Sequence, residues 1–73
     1  MIIYVVTFDN DGDFPDKEIG LVTIHKYLAM QKIYDRPKTY ALSMIQEWED
    51  NKLLTTTIYN DDFKNPTIIS WNK

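Results

Sequence analysis

Residues 2–8, Ile-Ile-Tyr-Val-Val-Thr-Phe, are β-branched or aromatic at nearly every position. A run this short and this apolar predicts a buried strand, and we place it centrally in a sheet. Residues 9–17 gather turn formers, with Gly12 and Pro15 among them, and predict an exposed loop. Residues 18–22 then form a second short strand that would pair antiparallel with the first across that loop.

Thr23 is placed to cap a helix, since its hydroxyl can accept from an orphan N–H of the first turn. The helix would span residues 24–34. Ile24, Tyr27, Leu28, Gln31 and Tyr34 recur at helical spacing, Ala29, Met30 and Ile33 widen the stripe, and His25, Lys26 and Lys32 point elsewhere. Pro37 would stop it, because a residue before proline avoids the helical region.

Residues 40–49 fit two periods. As a helix, Ala41, Met44, Ile45 and Trp48 share one face; as a strand, Leu42, Met44 and Trp48 do, and Asp50-Asn51 makes a two-residue turn whose residues tolerate positive φ. Residues 53–59 are strand-like by β-branched content, and a polar turn over 60–66 leads to a last strand over 67–71. No repeat or linker interrupts the chain, so one domain is expected over residues 1–73. The expected fold is α+β, a small antiparallel sheet in ββαβββ order packed on one main helix. The alternative is a winged helix-turn-helix with two helices.

With 73 residues and an apolar content of 44%, the chain is near the lower limit for a self-sufficient core. Small scaffolds often add disulfides, a metal or a partner subunit, and this chain has no cysteine and one histidine, His25. Ten aromatic residues, Trp48 and Trp71 among them, offer large areas to bury, and a homodimer would add more. The lack of cysteine fits a reducing compartment. Residues 1–8 carry no basic region or cleavage signal, and no run reaches the length of a membrane span, so a cytoplasmic protein with no membrane partner is expected.

Net charge is −3, unevenly spread. Asp9, Asp11, Asp13, Asp16 and Glu18 crowd one loop, while Lys26, Lys32, Arg36 and Lys38 make a basic middle. A polyanion-binding domain carries a larger basic excess, so protein is the expected partner before nucleic acid.

Four segments together resemble short α+β proteins encoded by bacteriophages and mobile elements of Gram-positive bacteria. They are Tyr4-Val5-Val6, Glu18-Ile19-Gly20-Leu21-Val22, the Thr23-capped helix, and Glu47-Trp48-Glu49. The helix departs from that pattern in lacking acidic residues after its cap, and residues 53–73 extend beyond the length of many such proteins. The resemblance favours a strand over 42–49 and implies a phage-type accessory protein acting in the bacterial host cell. It supplies no site residues.

Candidate chemistry is sparse. Asp9-x-Asp11-x-Asp13 has the spacing that opens a calcium loop, but the loop's sixth and twelfth positions would hold Phe14 and Gly20 rather than glycine and glutamate. His25 as a general base, with Asp35 or Glu47 as partner, lacks a nucleophile in a known signature. Gly12 and Gly20 are the sole glycines, so no phosphate-cradling loop exists. No enzymatic activity, cofactor or metal is expected.

In the winged-helix alternative, Lys26, Lys32, Arg36 and Lys38 would meet phosphates, but a second helix would also bring Glu47, Glu49 and Asp50 toward the polyanion. The leading expectation is a non-enzymatic protein-binding module that inhibits a host or defence protein by stoichiometric binding. Its expected contact surface is the acidic loop, Asp9, Asp11, Asp13, Phe14, Asp16 and Glu18, with Tyr4 beside it, because aromatic anchors ringed by polar groups dominate interface energy. Those carboxylates also permit a local imitation of phosphates toward a basic groove, against the plainer reading that an exposed loop of an acidic chain is itself acidic.

Overall fold

The computed structural model describes residues 1–9, 18–36, 42–59 and 65–70. Five strands and one helix follow in the order β1 (Ile2–Asp9), β2 (Glu18–Thr23), α1 (Lys26–Tyr34), β3 (Leu42–Glu49), β4 (Lys52–Tyr59) and β5 (Thr67–Ser70). The strands form one antiparallel sheet in the order β2-β1-β3-β4-β5. This is the expected α+β fold.

The two-helix alternative is overturned. Residues 42–49 form β3, hydrogen-bonded on one side to β1 and on the other to β4. The turn decides it. Asp50 and Asn51 both adopt positive φ, 51° and 65°, in a two-residue loop between the paired Glu49 and Lys52. That geometry matches the twist of a hairpin, and Asp and Asn tolerate it better than most residues.

Paired residues share a face of a sheet and successive residues alternate. The register therefore sorts the strands into two sets. Tyr4, Val6 and Phe8 of β1 lie beside Glu47, Ile45 and Ser43 of β3, and Ser43 lies beside Tyr59 of β4. The helix covers this side: Val6, Phe8, Ala29, Ile33, Ile45 and Tyr59 form the buried core, with Tyr4, Leu21 and Met30 packed against it. The Tyr59 hydroxyl donates to Met30 Sδ at 3.4 Å, linking β4 to the helix.

The helix differs from expectation in its start and its buried face. It begins at Lys26 with His25 as N-cap, and no side chain caps it. Thr23 stays in β2 opposite Tyr4, and its Oγ1 accepts from the His25 N–H at 3.1 Å, a local turn that ends the strand and precedes the helix. The buried face is Ala29 and Ile33 with Met30 beside them, so Tyr27 and Tyr34 of the expected stripe lie outside. Size explains the choice. A small residue at 29 lets the helix approach the sheet closely, which a tyrosine at 27 or 34 would prevent. The helix ends at Tyr34, with the Asp35 N–H donating to the Gln31 carbonyl at 3.1 Å. Pro37 lies outside the described residues.

Candidate functional site

Three surfaces can be built from the residues upward. The first is the acidic loop. Asp9 ends β1 opposite Leu42, half-buried, and Glu18 starts β2 opposite Phe8, exposed. Asp11, Asp13, Phe14 and Asp16 lie outside the described residues. Tyr4 is half-buried against the core beneath α1, opposite Glu47 and Thr23, so its ring is a packing group rather than a displayed anchor.

The second surface is the outer ridge of α1. Tyr27, Gln31 and Tyr34 stand at i, i+4 and i+7, which places them along one side of the helix. All three are exposed, Tyr27 at 68% and Tyr34 at 61%. Ile24, in the turn before the helix, is 49% exposed. The His25 ring sits 5.6 Å from that of Tyr27. Lys26 is exposed on the same short helix, while Lys32 and Arg36 are half-buried and Lys38 lies outside the described residues. With β3 a strand, the four cations flank no recognition helix.

His25 does not meet its candidate partners. Asp35 lies at the far end of α1, about 15 Å away along the helix at 1.5 Å per residue. Glu47 projects from β3 on the helix side, beside Tyr4 and Thr55. Among the described residues no group of three His, Cys, Asp or Glu is arranged to hold a metal ion. No described helix is long and apolar enough to cross a membrane.

The third surface is the side of the sheet away from α1. Ile3, Val5 and Thr7 of β1 alternate onto it, beside Trp48, Gln46 and Met44 of β3. The Trp48 indole Nε1–H donates to Gln46 Oε1 at 3.3 Å. A shallow hollow of about 220 Å³ opens there, lined by Ile3, Val5, Trp48, Glu49, Asp50 and Asn51. Sequence reasoning missed this face as a surface. The signal was present in residues 2–8, whose apolar run without alternation requires cover on both sides of β1.

Among the described residues, one buried phenol is displaced from its ordinary range. Burial raises the Tyr59 phenol above its usual value of 10.0, and the neighbouring Tyr34 and Glu47 raise it further, because a phenolate there would be poorly solvated and would face negative charge. Compared with protein-family models, with curated proteins and with solved structures, the chain shows no match.

Proposed function

We propose that this chain is a non-enzymatic protein-binding module that engages its partner through the outer ridge of α1. The observation that carries the reading is the exposure of Tyr27 and Tyr34 on one ridge of the helix, with Ile24 at its foot. Residues that helical periodicity marks for burial are left outside by the chain's own sheet, so a partner groove is what would bury them. Anchors at i, i+4 and i+7 are the spacing by which a helix docks in an apolar groove. Tyrosine suits the role, since it carries a large rigid area with a polar tip and few rotors to immobilise.

The partner class rests on the resemblance of Tyr4-Val5-Val6, Glu18-Ile19-Gly20-Leu21-Val22 and Glu47-Trp48-Glu49 to short phage-encoded proteins. In that setting the module acts in the bacterial cytoplasm as an accessory or anti-defence inhibitor, occupying a host protein one to one. The test is affinity capture from a Gram-positive bacterial lysate with the wild-type chain and with a Tyr27→Ala, Tyr34→Ala variant side by side. The reading expects a protein retained stoichiometrically by the wild type and lost by the folded variant. Retention of the same proteins by both would overturn it.

A further inference from the structure

The face of the sheet opposite α1 is covered by no described element, and its composition is unusual for an acidic chain. The register sets Val22, Val5, Gln46, Thr56 and Ile69 in one row across all five strands. Ile19, Thr7, Met44, Ile58 and Thr67 form the next, and Ile3, Trp48 and Leu53 a third. No side chain in these rows is ionisable. At the β2 edge Ile19 is 66% exposed and Val22 56%.

We infer that this face is a self-association surface, on which a second copy of the chain packs sheet against sheet. Three observations favour a second copy as the occupant. The first is charge. Each chain carries a net −3, and a contact between identical copies brings like charges together unless the contact patch is neutral. These rows are neutral, and the acids lie at their margins: Asp9 at one end of β1, Glu49 and Asp50 at the β3–β4 turn.

The second is area. Five strands about 4.8 Å apart, each rising about 3.3 Å per residue, present a face of roughly 20 by 25 Å. That is a flat footprint of roughly 500 Å² before side-chain relief, the size of a weak self-association beside the ~800 Å² each partner buries in a standard interface. The third is desolvation. Gln46 Oε1 already accepts from the Trp48 indole, and Thr7 and Thr56 are already withdrawn from solvent within the sheet surface. Covering the face therefore strands few polar atoms. It also supplies what a small chain is short of, since among the described residues the buried apolar core is six side chains on the helix side.

This surface and the α1 ridge lie on opposite sides of the sheet, so the dimer is independent of the proposed partner binding. Sedimentation equilibrium of the full chain over about 1–500 µM, a range that spans weak to tight interfaces of this size, provides the test. The expected species is twice the 8.7 kDa chain mass. Met44→Glu on the central strand of the face should weaken the dimer by at least about tenfold, since it buries an unpaired charge against its own copy. Ile3→Lys, at a position already 41% exposed and so tolerated by the monomer, serves as a second variant should Met44→Glu fail to fold. A wild-type chain that stays monomeric over the range would overturn the inference. So would a dimer that persists undiminished in a folded variant.

Discussion

Gly20 and Phe8 are fitted so closely that a Cβ built on Gly20 would lie 2.5 Å from Cε2 of the Phe8 ring. The ring has nowhere to go, because Phe8 is 1% exposed in the core. Gly20 falls where the β1–β2 register shifts, between the pairs Val6–Leu21 and Thr7–Ile19, and the extra residue there brings its backbone down onto the ring. Gly20→Ala should therefore destabilise the fold by about 1–3 kcal/mol through overpacking. Denaturant unfolding of Gly20→Ala, and of Gly20→Ala with Phe8→Leu, checks it. The smaller side chain at 8 should recover part of the loss that the single substitution adds, and additive effects would contradict the contact.

Ser43 is fully buried between Phe8 and Tyr59, and its Oγ has no hydrogen-bond partner among the described residues. A buried hydroxyl without a partner carries its desolvation cost uncompensated. Ser43→Ala is expected to leave stability unchanged or raise it by up to about 1 kcal/mol. A fall of the unfolding midpoint beyond that size would mean the hydroxyl is satisfied.

The β3–β4 hairpin turns on Asn51 at φ 65°. Glycine adopts that conformation without steric cost, so Asn51→Gly should gain about 0.5 kcal/mol, and Asn51→Val should lose more than about 1 kcal/mol. Thermal unfolding of the two variants reads the opposite signs. The same sign for both would place the strain elsewhere.

Tyr59 links stability to alkaline pH. Its phenol is raised above 10.0 in the folded chain, so at lower pH it is neutral in folded and unfolded chains alike and its contribution is intact. As pH rises past 10.0 the unfolded chain releases this proton first, and stability falls. Unfolding midpoints measured from pH 8 to 11 should fall more steeply for the wild type than for Tyr59→Phe. Parallel curves would show that Tyr59 titrates alike in both states.

Much of this fold can be read from local chemistry. The β-branched run at residues 2–8, the threonines of residues 55–57 and the Asp50-Asn51 pair each name their element, because strand and turn preferences here agree with the tertiary outcome. Residues 42–49 fit two periods, and what settles them is non-local: their pairing with β1 across more than thirty residues of chain. The helix face is the clearest misreading. Periodicity weights every apolar residue alike, and so favours Tyr27 and Tyr34, whereas packing on a sheet favours the small Ala29 with Ile33. The binding surface follows from that same difference. It becomes visible only when the expected stripe is compared with the side that is buried. The sheet's uncovered face is legible in residues 2–8 once the single helix is seen to cover one side only.

Isothermal titration of the captured partner against the purified chain tests most directly whether the α1 ridge is a docking surface. The account predicts saturation at one chain per partner, with the Tyr27→Ala, Tyr34→Ala variant bound at least about tenfold more weakly while its circular dichroism is unchanged, as loss of two aromatic anchors implies. Equal affinity of the wild-type chain and the folded variant would contradict it.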